Sequence, residues 1–159
     1  MKTYVQFILR IYMAALINIF LIFFSLIFIL NLLTELEFFK EIQVSSFYPL
    51  YLSLINTPMF VFEMFPFIFL ISTQVFFNNL FSNNEMNILK YSGLKNSKIF
   101  SILGITTFLL GIFLIFIFYN FSSNLKYFYL GLKSNYTTDN KYLAVITNNG
   151  LWIKDINDN

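Results

Sequence analysis

Residues 82–98 read SNNEMNILKYSGLKNSK, and this stretch decides how the rest of the chain is arranged. It is the polar break between the two longest hydrophobic runs of the second half, for no charged residue occurs in 64–84 or in 99–125. Ser82 and Glu85, three residues apart, have the spacing of a capping box, in which a hydroxyl and a carboxylate satisfy the first free N–H groups of a helix. Asn83 and Asn84 extend the polar start, and Met86, Ile88 and Leu89 supply an apolar side. Gly93 is able to take the left-handed conformation that closes a helix. The stretch therefore predicts a short helix over about 83–92, lying outside the hydrocarbon between two membrane spans. Lys90, Lys95 and Lys98 outweigh Glu85, which assigns that helix to the cytoplasmic side.

Outward from this break the chain is apolar. Of 159 residues, 58% are hydrophobic, 11% are charged and 23 are Phe, and residues 11–34 form another run without charge. About 20 apolar residues are needed to cross a bilayer as a helix. The expected fold class is an all-α membrane protein with three transmembrane helices, at about 11–33, 57–81 and 99–119, and not a soluble domain. The chain has no Cys, hence no disulfide or thiolate chemistry, and no His, the commonest metal ligand and general base. Neither GxGxxG nor GxxxxGK[ST] occurs, and the acids are scattered without a paired spacing. No enzymatic activity, cofactor or metal is expected, and basic residues are too sparse for a nucleic-acid face.

Lys2 and Arg10 precede a first run that is too long for a signal peptide and lacks a small-residue cleavage site soon after it. It is read as an uncleaved span with its N-terminus inside. Ala14, Asn18 and Ser25 fall near one face, as a packing stripe against a neighbouring helix or, alternatively, as a face lining a substrate path. In the outer loop, 34–48, Glu35, Glu37 and Glu41 stand against Lys40 alone. Lys40 is read as offsetting Glu37 and Glu41, with contact to a lipid phosphate as the alternative. Pro49 opens a lead-in helix over 48–56, and Pro58 and Pro66 predict bends in the second span. Glu63, expensive in lipid, is expected near the outer interface or in ion or substrate handling, and it shares a helical face with Gln74 and Asn78.

Ser101, Gly104 and Gly111 keep one side of the third span thin enough for close helix approach. This span is expected to continue as a helix past the membrane. Lys126 and Lys133 then break the apolar pattern. Residues 141–147, KYLAVIT, read as a strand, Asn149-Gly150 as a two-residue turn and 151–156 as the return strand, with Trp152 a candidate core residue. One hairpin is marginal alone, so 135–159 is expected to open a β domain that a partner or a further C-terminal part completes.

Residues 58–98, PMFVFEMFPFIFLISTQVFFNNLFSNNEMNILKYSGLKNSK, resemble the second span and cytoplasmic coupling helix of the lipopolysaccharide export permeases, the LptF/LptG family. Pro58 and Pro66 match the paired prolines of that family, and Asn84-Glu85 with Ser92-Gly93 match its "sEl…aGvs" element. Residues 150–155, GLWIKD, resemble the "GLWxKD" that opens the family's periplasmic domain, closer to the G-type partner. The resemblance implies a transporter half of six spans with a periplasmic jelly-roll-like domain between the third and fourth. Its implied partners are a sister permease, a cytoplasmic ATPase and a periplasmic bridge protein, and its implied cargo is lipopolysaccharide.

On that resemblance the chain is an N-terminal half in the bacterial inner membrane, either a fragment, a truncated product or one piece of a split permease. Residues 1–134 would be the transmembrane domain and 135–159 the first β-hairpin of an incomplete periplasmic domain, with the N-terminus cytoplasmic and the C-terminus periplasmic. Glu85, with Asn84 and Gly93, takes the place of the coupling-helix residues that meet the ATPase. Lys40 lies near the lysines that attract lipid phosphate, and Trp152 matches a periplasmic tryptophan with a packing role. Phe69, Phe76 and Phe77 stand where the family often carries small residues, which implies an altered substrate cavity. The alternative function is a membrane-anchored scaffold or assembly protein whose periplasmic tail binds a partner.

Overall fold

The computed structural model describes residues 3–136, 145–147 and 150–152. Helix α1 spans Thr3–Phe38, α2 spans Tyr48–Ser82, and the short α3 spans Glu85–Tyr91. Then α4 (Asn96–Phe113), a π turn (Leu114–Phe118) and α5 (Tyr119–Ser134) follow as one unbroken helical rod. In the π turn the Tyr119 N–H reaches the Leu114 carbonyl, five residues back instead of four.

The three long rods, Thr3–Phe38, Tyr48–Ser82 and Asn96–Ser134, are each long and apolar enough to cross a membrane. Thirty-six residues at 1.5 Å each make α1 about 54 Å long, well past a hydrocarbon core of about 30 Å. The expected spans thus sit inside longer helices. The expected lead-in over 48–56 is the opening of α2 and not a separate helix. Pro49 occupies the first turn, where a missing N–H removes no helical bond, and Pro58 and Pro66 lie inside α2 without ending it.

Buried apolar side chains form three clusters along the bundle. At the α3 end, Ile8 and Tyr12 of α1 meet Phe76 and Leu80 of α2, Met86 and Leu89 of α3, Leu94, and Ile99 and Leu103 of α4. The Tyr12 ring stands edge-on to Phe76 at 5.9 Å, and its hydroxyl lies 3.0 Å from the Thr107 Oγ1. Phe76 is thus core of this chain, and its bulk fills the helix contact instead of a cavity. Ile27, Val61, Phe65, Ile68 and Leu114 form the middle cluster. Phe39, Leu52, Ile55 and Tyr129 form the third, at the opposite end.

Two sequence stripes are not used inside the chain. Ala14, Asn18 and Ser25 are exposed, and the Ser25 hydroxyl donates to the Ile22 carbonyl of its own helix. Ser101 and Gly104 are exposed as well, and a Cβ added at Gly104 or Gly111 would meet nothing within 4 Å. Close approach of another described helix is therefore not their role. Beyond Tyr136, Val145–Thr147 pairs antiparallel with Gly150–Trp152, with Ile146 opposite Leu151. Two strands of three residues do not show the expected periplasmic domain. The Trp152 side chain, Asn149 of the expected turn and the strand residues 141–144 and 153–156 lie outside the described residues.

Candidate functional site

At the α3 end the chain reverses in very few residues. Helix α2 runs through Ser82, and Asn83 caps it with an N–H bond to the Asn79 carbonyl at 3.1 Å. Asn84 then takes φ 56°, a left-handed conformation that asparagine tolerates better than most residues. This overturns the expected capping box. Ser82 belongs to the preceding helix, Asn84 stands before α3 without a side-chain cap bond, and α3 is Glu85–Tyr91 where 83–92 was expected.

The closing turn follows the expectation. Gly93 has φ 80°, its N–H reaches the Lys90 carbonyl at 2.9 Å, and the Leu94 N–H reaches the Leu89 carbonyl at 3.1 Å. Leu89 and Leu94 are both buried, so the turn is a Schellman closure with its hydrophobic contact. A Cβ at Gly93 would meet nothing within 4 Å, leaving only the backbone to object. Gly93→Ala is therefore expected to cost about 1–2 kcal/mol. Gly93→Asn should cost less, and thermal unfolding of the purified protein measures both.

Glu85 stands in the first turn of α3, where a carboxylate complements the helix dipole. It is half-buried, and its Oε2 is enclosed with no hydrogen-bond partner among the described residues. On the outer side of α3, Ile88 and Tyr91 remain 61% and 91% exposed.

At the opposite end a polar network joins all three rods. Glu35, only 1% exposed, receives the Lys133 ammonium at 2.9 and 3.0 Å and the Tyr129 hydroxyl at 2.6 Å. The ammonium also donates to that hydroxyl at 2.8 Å and lies over the Phe38 ring. One turn away, Lys126 donates to the Asn56 Oδ1 at 2.7 Å and rests over the rings of Phe60 and Tyr129. The Asn56 amide donates to the Asn31 Oδ1 at 3.2 Å, and the Asn31 amide reaches the Thr57 Oγ1 at 3.4 Å. Thr57 and Ser53 return their hydroxyls to the carbonyls of Ser53 and Pro49 in their own helix, both at 2.7 Å. Between the two ends, Phe20, Phe65, Phe69, Leu114 and Phe118 help to line a wholly apolar cavity of about 220 Å3. Among the described residues no group of His, Cys, Asp or Glu is arranged to hold a metal ion.

Comparison with protein-family models matches residues 6–159 to "Lipopolysaccharide export system permease LptF/LptG". The chain belongs to the LptF/LptG family. Comparisons with curated proteins and with solved structures return no match. Family and helices together make it a multi-pass membrane protein and a component of lipopolysaccharide export, a transporter part that works with other Lpt proteins.

In this LptF/LptG chain the structure brings some of the expected site residues together and separates others. Asn84, Glu85 and Gly93 lie in one hairpin. Lys40 is exposed at the opposite end and, among the described residues, forms no ion pair with Glu37 or Glu41. The acid expected beside them in the loop, Glu35, is instead a buried residue of α1. Sequence reading missed the network that Glu35 joins. A signal was present: Asn31 and Glu35 are four apart, and Lys126, Tyr129 and Lys133 are spaced three and four, so each set lines one helical face.

Proposed function

We propose that the chain is the N-terminal, membrane-spanning part of a permease subunit that turns ATPase motion into movement of lipopolysaccharide. In this reading it has no catalytic residue. It pairs with a sister permease, meets a cytoplasmic ATPase through 82–98 and delivers cargo toward a periplasmic bridge protein. The observation that carries this reading is the seating of α3. Met86, Leu89 and Leu94 pack into one cluster with α1, α2 and α4, while Ile88 and Tyr91 are exposed and the enclosed oxygen of Glu85 has no hydrogen-bond partner among the described residues. A push on the free side of α3 is transmitted to three spans at once.

The same reading makes the compartment the bacterial inner membrane, with α3 cytoplasmic. Arg10, Lys90, Lys95 and Lys98 at that end support this orientation, as does Lys2 by its place before Arg10 in the sequence. Residues 1–134 then form the transmembrane domain, and 135–159 open the periplasmic domain, in which Trp152 would pack. The GLWIKD segment favours a G-type over an F-type subunit. Lys40, exposed at the periplasmic end in this orientation, is available to a lipid phosphate.

Replacing Ile88 and Tyr91 together by Ser tests the coupling surface. Both side chains are exposed, so thermal stability should be unchanged. Association of the purified ATPase with the assembled permease should weaken by about 2 kcal/mol or more, as for loss of interface anchors. Undiminished association would reject this surface. Because the chain has no Cys, a single cysteine at Asn96 reports orientation directly. It should react with an impermeant thiol reagent only from the cytoplasmic side, and labelling from the periplasm would invert the topology.

A further inference from the structure

We propose that the cavity between α1, α2 and the third rod is a binding site for a structural lipid, and that it holds the methyl end of one acyl chain of a bilayer phospholipid. The inference needs only that the chain resides in a membrane and not that α3 meets an ATPase. The walls include Phe20 of α1, Phe65 and Phe69 of α2, and Leu114 and Phe118 at the two ends of the wide turn. At about 220 Å3 the space exceeds the engineered cavity of about 150 Å3 that stays dry and takes up benzene. A void of this size is costly when empty, because its lining has no atoms to pack against on one side.

The chain does not close the void with its own rings. Phe20 stacks on Phe65 at 6.0 Å, and Phe65 stands edge-on to Phe118 at 5.4 Å, so each ring holds the next in place.

Depth selects the occupant. Phe20 is the eighteenth of the 36 residues of α1, and Phe65 is the eighteenth of the 35 residues of α2. Leu114 is the nineteenth of the 39 residues of Asn96–Ser134, so the cavity sits at the middle of all three rods. Phe20 and Leu114 also fall within three residues of the centres of the charge-free runs 11–34 and 99–125. The middle of a hydrocarbon core of about 30 Å offers neither water nor headgroups, only the ends of acyl chains. The wall matches that medium, for it presents no polar atom to the cavity. There is also a way in. Ile17 and Phe113 belong to the lining, yet they are 51% and 50% exposed, so the cavity opens sideways between α1 and α4 onto the bilayer. A chain end entering there gives up no hydration and fills a space the protein leaves empty.

Phospholipids carrying a photoreactive diazirine test this, with the intact protein reconstituted into phosphatidylethanolamine vesicles. Phe65 and Leu114 line the cavity and are each only 8% exposed, so lipid outside the bundle does not reach them. A diazirine at the chain end should label both, and one beside the ester carbonyl should label neither. Phe116, 70% exposed two residues from Leu114, is the control for lipid outside the bundle. Leu16→Trp, which adds volume to the lining, should lower labelling of Phe65 ~10-fold or more and leave Phe116 unchanged, since a filled void gives a chain nothing to replace. Ile17→Trp at the half-exposed mouth should lower it as well, so a folding failure of Leu16→Trp, read by thermal unfolding, leaves the test intact. Label confined to Phe116, equal labelling of Phe65 by both diazirine positions, or labelling of Phe65 indifferent to Ile17→Trp would each overturn the proposal. So would loss of the label on adding a few per cent of unlabelled lipopolysaccharide, since the cavity would then belong to the cargo.

Discussion

Glu35→Ala is expected to destabilise the purified protein by about 3–5 kcal/mol, the size that follows from stranding one partner of a buried ion pair. The carboxylate accepts three hydrogen bonds from two donors and has almost no solvent, so its removal takes from the Lys133 ammonium its counter-charge and from the Tyr129 hydroxyl its acceptor. The converse change, Lys133→Met, should cost less, because the Tyr129 hydroxyl still serves the carboxylate. Replacing both, Glu35→Met with Lys133→Leu, should recover much of the loss, since apolar pairs of similar volume often substitute for buried ion pairs without penalty. Thermal unfolding in detergent of Glu35→Ala, Lys133→Met and those two changes combined, read as a double-mutant cycle, gives the coupling between the two. An effect of Glu35→Ala below about 1 kcal/mol would mean that the pair behaves as a surface salt bridge.

The second large effect concerns association. If Glu85 couples the proposed permease to its ATPase, Glu85→Lys should weaken binding of the ATPase to the assembled permease by roughly 2–5 kcal/mol or more, because it replaces a first-turn carboxylate by a cation. Glu85→Gln should weaken it less than Lys does. Within the chain itself, either change should cost only about 0.3–1 kcal/mol, the dipole contribution of a first-turn acid, as no capping box is present to lose. The measurement is the Kd of the purified ATPase for wild-type and variant permease in nanodiscs, with the sister permease supplied. Equal affinity for all three would remove Glu85 from the coupling role and leave it a local helix residue.

What the sequence makes legible here is what depends on run length and on single punctuating residues. The three long rods follow from charge-free stretches, and Gly93 closes α3 because a left-handed position selects glycine. The start of α3 was misread because Ser82, which has the spacing of a cap, can equally end the helix before it. Asn84, a residue that also tolerates positive φ, makes the reversal instead. The Glu35 network was missed because its members come from three distant segments. Glu35 and Lys133 are 98 residues apart, and the spacing of Asn31 and Glu35 marks a shared helical face without naming the segment it meets. The packing stripes meet no other described helix, for the opposite reason. Small residues such as Gly104 permit close approach, but they do not name the helix that approaches.

The wide turn at Leu114–Phe118 governs how the third rod tolerates change in length. Leu114 at its start and Ser122 after it are both buried, yet eight residues of plain α-helix would put them about 80° apart around the axis. The extra residue absorbed by the turn restores their phase, so the two halves of the rod answer to different neighbours without a break between them. A one-residue deletion there closes the wide turn into plain helix and keeps the phase, since seven residues come back to within about 20° of the start. A one-residue insertion acts as a rotation: everything beyond it swings by about 100°, carrying Lys126, Tyr129 and Lys133 off Glu35 and Asn56 together, while the α4 half keeps its grip on the α3 hairpin. Length in this segment is thus spelled in angle, and a gain of one residue there dismantles one end of the bundle while sparing the other.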